Sequence, residues 1–110
     1  MMKNSEKLMS WLKYLDIEYL DEITFNRLGD FDINDANDWS NIVELAMRDE
    51  AISLNPISRV QAIAVLDDLA GYPECEVRKL LERVTMPFDA PLRDYISFFQ
   101  YVRRALFDEV

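Results

Sequence analysis

Apolar residues recur at spacings of three and four along most of the chain, which is the pattern of amphipathic α-helices. The first predicted helix spans about residues 5–28, and its apolar stripe consists of Leu8, Leu12, Leu15, Tyr19 and Ile23. Asn4 or Ser5 is the predicted N-cap, and Gly29 is expected to end the helix in a left-handed conformation. The pattern leaves open whether this helix breaks between Asp16 and Ile17.

The next two helices follow a polar loop at residues 30–38. One is predicted at about residues 39–51 and is capped by Asp38 or Ser40. The other begins at Asn55 and Pro56, because asparagine suits the N-cap and proline suits the first helical turn. Apolar residues cover most of the circumference of this helix up to Gly71. It is therefore expected to be the central and most buried helix.

Two further helices each present one apolar stripe. The first is predicted from Pro73 to about Val84, and the second from a cap at Asp89 to about Phe107. Leu66 and Leu81 are expected to be buried in the core. No pair of alternating apolar and polar segments flanks a hairpin turn, so strands are not expected. The predicted fold is an all-α, compact single-domain bundle of five or six helices that comprises residues 1–110.

Composition and charge narrow the possible functions. The chain of 110 residues carries 12 basic and 21 acidic side chains, a net charge of −9. This balance disfavours binding to nucleic acid or to an anionic membrane, both of which require clustered lysine and arginine. No histidine is present, and the one cysteine, Cys75, cannot form an internal disulfide or a thiolate zinc site. No targeting or membrane-spanning segment is apparent, so we expect a cytoplasmic protein.

The polar loop has a partial resemblance to a calcium-binding loop. Asp30, Asp32 and Asn34 match the first three ligand positions of an EF-hand, but Asp35 replaces its glycine and Asn41 its bidentate glutamate. A solvated loop with Asx turns and a helix cap is favoured. No metal or cofactor is expected.

Catalytic and DNA-binding patterns are equally incomplete. The paired carboxylates Glu18, Asp21 and Glu22, and Asp67 with Asp68, lack a second acidic motif on a facing helix, and no histidine can activate a nucleophile. A helix-turn-helix over residues 61–84 would present Arg78, Lys79 and Arg83 to phosphates, but its second helix begins with Glu74 and Glu76. We therefore expect neither an enzyme nor a nucleic-acid-binding protein.

Charge asymmetry is the remaining signal. Residues 16–50, here called the acidic segment, contain eleven acidic and two basic residues, so this third of the chain has the net charge of the whole protein, −9. Aromatic residues lie among these acids, and acids that steer a partner together with aromatic anchors are typical of a surface that binds a basic protein. The predicted partner-binding residues are Glu18, Glu22, Asp30, Phe31, Asp32, Asp35, Asp38 and Trp39. Trp39 is either such an anchor or a core residue.

The sequence thus predicts a small acidic binding protein that neutralises a basic partner by occlusion. Toxin immunity proteins, antitoxins against nuclease toxins and phage-type inhibitors are of this kind. The alternative is a helical adaptor or regulatory subunit that binds through apolar helix faces. The oligomeric state is not indicated by the sequence.

Overall fold

The computed structural model describes residues 7–88 and 90–107, and these residues form seven α-helices. They are α1 (Met9–Leu12), α2 (Glu22–Leu28), α3 (Trp39–Ala46), α4 (Arg48–Ile52), α5 (Pro56–Asp68), α6 (Glu74–Arg83) and α7 (Tyr95–Phe107). Short 3-10 turns lie at Lys13–Leu15, Ala36–Asp38 and Leu69–Gly71. The all-α class is confirmed, whereas the predicted number of five or six helices is wrong for this part of the chain. The predicted caps Asn4, Ser5 and Asp89 lie outside the described residues.

Two interruptions produce the extra helices. After α1 the backbone becomes extended at Asp16, and the Ile17 N–H donates to the Thr85 carbonyl at 2.8 Å instead of continuing the helix. Asp21 then starts α2 by accepting a hydrogen bond from the Thr24 N–H at 2.7 Å. The second interruption is at the fully buried Met47, where the backbone leaves helical geometry between α3 and α4.

Helix α7 lies at the centre of the core. Its inward side chains Phe98, Phe99 and Val102 are fully buried, and the helix packs on both α3 and α5. It begins at Tyr95, later than the sequence indicates, because the Asp94 carboxylate accepts a hydrogen bond from the Ser97 N–H at 3.1 Å. The core also contains Leu8, which immediately precedes α1, Trp11 and Leu12 of α1, and Leu15 of the turn that follows.

Helix α5 is less buried than its composition indicates. It begins as predicted, with the Asn55 side chain accepting a hydrogen bond from the Ser58 N–H at 2.8 Å. Leu66 is buried as expected, but Ile57 is 73% and Val60 68% exposed. The prediction that α5 is the most buried helix is therefore wrong, because the core covers only one of its apolar faces.

Two smaller expectations also fail. Gly29 has φ −60°, so it ends α2 in a right-handed conformation, with its N–H still donating to the Phe25 carbonyl. Leu81 is only partly buried at the edge of the core, whereas Val77 and Leu80 of the same helix are buried. The buried stripe of α6 is thus narrower than its apolar pattern.

The connection from α6 to α7 is irregular but well anchored. Arg78 donates to the Leu92 carbonyl at 3.1 Å and to the Arg93 carbonyl at 2.6 Å. The Asn34 side chain donates to the Pro91 carbonyl at 3.0 Å and accepts from the Arg93 N–H at 2.9 Å. These contacts attach the connection to α6 on one side and to the polar loop on the other.

Candidate protein-binding surface

The acidic segment folds back on itself. Helix α2 packs against α3, and the Tyr19 hydroxyl donates to Oε1 of Glu50 at 3.3 Å, which joins the two ends of the segment. Of its eleven acidic residues, nine are exposed, and Asp16 and Asp38 are half-buried. The acids that are close in sequence are therefore also gathered on the surface of one part of the fold.

The loop between α2 and α3 uses its carboxylates to hold its own backbone. Asp32 accepts a hydrogen bond from the Asn34 N–H at 2.9 Å, and Asp35 accepts one from the Asn37 N–H at 2.9 Å. Asp38 accepts from the Asp32 N–H at 2.8 Å and makes no side-chain cap of α3. The expected Asx turns are therefore present, and Asp30, Asp32 and Asp35 remain exposed to solvent.

The two predicted aromatic anchors point towards the core. Phe31 is partly buried against it. The half-buried indole of Trp39 donates from Nε1 to the Ile33 carbonyl at 2.6 Å and packs edge-on against Phe98, with ring centroids 5.6 Å apart. The ring of Tyr101 also contacts the Trp39 indole, with ring centroids 5.9 Å apart. These contacts give Trp39 a structural role in joining α3 to α7.

The predicted residues Glu18 and Glu22 lie at the other end of the acidic segment. Glu18 is exposed in the turn before α2, where its N–H donates to the Asp16 side chain at 3.0 Å. Glu22 is exposed in the first turn of α2, a position that favours an acidic side chain. The structure thus places all of the predicted acids in one folded segment and turns the predicted aromatics inward.

Exposed apolar residues between Asp16 and Leu28 were missed by the sequence patterns. Ile23 is 73% exposed, and Ile17, Tyr19 and Phe25 are exposed to smaller extents. Tyr19 and Ile23 fall on the inward stripe only if α1 and α2 are treated as one continuous helix. Asp21 is a helix-start signal in the sequence, since it can cap a new helix by accepting from the Thr24 N–H. It marks the break between α1 and α2 that turns Tyr19 and Ile23 outward.

Tyr14 and Tyr19 link this region to α4. Their rings meet edge-on with centroids 5.7 Å apart, and the Lys13 ammonium lies 5.2 Å from the Tyr14 ring and 5.6 Å from the Tyr19 ring. Burial, reinforced by the negative charge of Glu50, raises the pKa of both phenols. Both tyrosines therefore stay protonated at neutral pH and serve as packing and hydrogen-bonding groups.

A groove of about 610 Å³ lies between α1 and α5. Trp11, Tyr14, Ala62 and Val65 are among its apolar lining, and the Trp11 indole bridges the two helices by donating to the Ala62 carbonyl at 3.1 Å. Its charged rim residues are Lys7, Lys13 and Asp68. The groove therefore lacks the acidic character of residues 16–50.

Residues 7–88 and 90–107 include the candidate metal ligands and the candidate phosphate contacts named from the sequence. In this part of the chain no three cysteine, aspartate or glutamate side chains are grouped so as to hold a metal ion. Arg78, one of the three candidate phosphate contacts, is bonded to backbone carbonyls of residues 92 and 93 and stacks on Tyr95 at 5.0 Å. No described helix has the length and apolar character needed to cross a membrane.

Comparisons with protein-family models, with curated proteins and with solved structures find no match to this chain. The exposed charges and apolar side chains of the protein are therefore the basis on which its function is inferred.

Proposed function

We propose that this protein is a small acidic binding module that neutralises a basic partner by covering the partner's functional surface. Such stoichiometric inhibitors include toxin immunity proteins, antitoxins and phage-type inhibitors, and a nuclease toxin is the kind of basic partner we have in mind. The observation that carries the proposal is the exposure of nine acidic side chains within a segment that closes on itself through Tyr19 and Glu50. A cytoplasmic site of action is part of the proposal.

The acids would act mainly on the association rate. Clustered surface charges steer an oppositely charged protein during diffusion, and salt suppresses this effect because the Debye length falls from about 8 Å at 0.15 M to about 3 Å at 1 M. Asp30, Asp32 and Asp35 suit this role because they are exposed and are positioned by a hydrogen-bonded loop.

Retention of the partner would depend on apolar contacts beside the acids. Ile23 and Phe25 are exposed on α2, next to the exposed Glu22. Apolar side chains that become desolvated in an interface lower the dissociation rate, whereas rim charges contribute little to it. The exposed side chains of α2 replace Phe31 and Trp39 as the candidate anchors.

The test compares two variants with equal changes in charge. Asp30, Asp32 and Asp35 are replaced by asparagine in one, and Asp68→Asn, Glu74→Gln and Glu82→Gln are combined in the other. Asparagine keeps the Oδ1 acceptor that the loop turns use, so the loop variant should fold. Binding to a basic protein encoded by a neighbouring gene is measured at low and high salt. The loop variant should associate more slowly at low salt, with a flatter salt dependence.

Equal association rates for both variants would contradict electrostatic capture by the loop. The exposed apolar residues Ile23 and Phe25 also favour a second candidate function, that of a helical adaptor. An adaptor would bind with little dependence on salt, and Ile23→Ser would weaken it far more than the loop variant does. The two functions thus predict opposite rankings of the same variants.

A further inference from the structure

The groove between α1 and α5 is large enough for a small molecule. Its volume of about 610 Å³ lies within the range of about 300–1,000 Å³ that is typical of ligand-binding clefts. On the α4 and α5 side it is lined by the small side chains of Ala51, Ala62 and Ala64, which leave the space open. The buried residues Trp11 and Val65 belong to the same lining. An apolar body in the groove would therefore contact apolar side chains of both helices.

One polar group of the lining has no partner. Tyr14 lines the groove and is only 8% exposed, yet its hydroxyl forms no hydrogen bond with any described residue. Buried polar groups are ordinarily hydrogen-bonded, because burial removes their bonds to water. Burial, reinforced by the charge of Glu50, raises the pKa of this phenol, so its hydroxyl is protonated at neutral pH. Tyr14 therefore offers a hydrogen-bond donor to a molecule in the groove.

A positive charge lies beside Tyr14. The Lys13 ammonium is 5.2 Å from the centroid of the Tyr14 ring, and Lys13 also lines the groove. No acidic side chain in the described part of the chain forms an ion pair with Lys13. The nearby Glu50 carboxylate accepts from the Tyr19 hydroxyl. An ammonium and a phenolic hydroxyl are therefore both available to one acceptor.

The acid of the lining lies at the other end of the groove. Tyr14 is at the end next to α4, because its ring meets the ring of Tyr19, whose hydroxyl bonds to Glu50 of α4. Asp68 is the last residue of α5, at the end away from α4, and this helix of 13 residues is about 20 Å long. An anionic group is therefore favoured at the Tyr14 end, away from Asp68.

We infer that the groove binds a small amphipathic carboxylate, whose charged group is held by the Lys13 ammonium and the Tyr14 hydroxyl. Its apolar body would lie against Val65 and the alanines of α5. A carboxylate has two oxygens that each accept more than one hydrogen bond, and charge-assisted bonds are stronger than neutral ones. A group with two negative charges fits less well, because the protein has a net charge of −9. This inference does not rest on the proposed binding of a basic protein.

Titration of the native protein with naphthoate, a bicyclic aromatic carboxylate, tests the inference by heteronuclear NMR. The indole N–H resonance of Trp11 should shift, because this group donates to the Ala62 carbonyl beside the groove. The indole resonance of Trp39, which bonds to Ile33 outside the groove lining, should not shift and reports that the fold is intact. A dissociation constant between about 10 µM and about 1 mM is expected for so small a ligand.

A second ligand tests the recognition of charge. Naphthamide has nearly the same shape as naphthoate but is neutral, and it should bind about tenfold more weakly because it forms no charge-assisted hydrogen bond. The net charge of −9 works against naphthoate. A preference for the carboxylate must therefore come from donors within the groove.

Three variants locate the carboxylate. Tyr14→Phe removes only the hydroxyl, and Lys13→Gln removes only the charge. Each should raise the dissociation constant of naphthoate by about threefold to tenfold and affect that of naphthamide less. Lys79→Gln is the matched control, because Lys79 is exposed on α6, does not line the groove and loses the same charge. It should bind naphthoate as the native protein does.

Three results would overturn the inference. A Trp11 resonance that does not shift at about 5 mM naphthoate, well above the expected dissociation constant, would show that the groove does not take this class of ligand. Equal affinities for naphthoate and naphthamide would show that no group in the groove recognises the charge. Equal weakening by Lys13→Gln and Lys79→Gln would show that overall charge, and not the donors beside Tyr14, controls binding.

Discussion

At the scale of single residues, side chains that bond to backbone hold the loops in place. Asn34 donates to the Pro91 carbonyl and accepts from the Arg93 N–H, so one amide joins the loop before α3 to the connection before α7. Its oxygen is a calcium ligand by pattern, but in the fold it is an acceptor for a backbone N–H. An asparagine at this spacing can therefore be a calcium ligand or a partner for backbone groups. The second role depends on residues 91 and 93, which are distant in sequence.

Asn34→Asp should destabilise the protein by about 1–3 kcal/mol, because an aspartate cannot donate to the Pro91 carbonyl and places a negative charge beside it. Asn41→Asp is the control, since it adds the same charge at an exposed position of the neighbouring helix. Urea unfolding monitored by circular dichroism gives both free energies. Equal midpoints for the two variants would contradict the role assigned to the Asn34 amide.

Trp39 is a second residue whose role differs from its sequence pattern. An aromatic among acids is typical of an interface, but the Trp39 indole bonds to Ile33 and packs on Phe98. Conversely, Tyr19 and Ile23 belong to the apolar stripe of the first predicted helix, but they are exposed because the chain breaks between α1 and α2.

At the scale of helices, aspartate caps fix where two of them begin. Asp21 caps α2 and Asp94 caps α7. The hydrogen bonds from the Thr24 and Ser97 N–H groups stabilise the ionised carboxylates and lower the pKa of each below the ordinary 3.8. An aspartate with a lowered pKa in the folded state binds fewer protons there than in the unfolded chain. Its contribution to stability is complete above its unfolded pKa and is lost as the pH falls through the folded one.

The double variant Asp21→Asn with Asp94→Asn should therefore lose less stability than the native protein between pH 5 and pH 3. Asparagine keeps a cap acceptor but does not titrate in this range. The measurement is the urea midpoint at both pH values. The exposed pair Glu18→Gln with Glu82→Gln serves as the control for loss of two charges. If the double variant loses as much stability between pH 5 and pH 3 as the native protein does, protonation of the two cap aspartates does not contribute to that loss.

At the scale of the whole molecule, charge is unevenly distributed. Nine exposed acids in the acidic segment repel one another, and Arg27 and Arg48 are its only bases. Such repulsion destabilises a compact state and is screened by salt. The clustered acids that would attract a basic partner should therefore lower the stability of the folded protein when no partner is bound.

Sodium chloride should accordingly stabilise the native protein as its concentration rises to about 0.15 M, where the Debye length is about 8 Å. The loop variant with asparagine at positions 30, 32 and 35 should gain less, and the control variant altered at residues 68, 74 and 82 should gain nearly as much as the native chain. Thermal unfolding at several salt concentrations measures this. An equal stabilisation by salt in all three proteins would show that the carboxylates at positions 30, 32 and 35 are not the source of the repulsion.

The sequence by itself determined the all-α class, the start of α5 at Asn55 and Pro56, the Asx turns of the polar loop and the charge of the acidic segment. Each of these depends on interactions within a few residues or on composition. The tertiary structure decided the break after α1, through the bond between Ile17 and Thr85, and the inward position of Trp39. It also decided that the apolar face of α5 with Ile57 and Val60 lies at the surface. Periodicity identifies the residues that share a face of a helix, but what that face contacts depends on segments brought together only by folding.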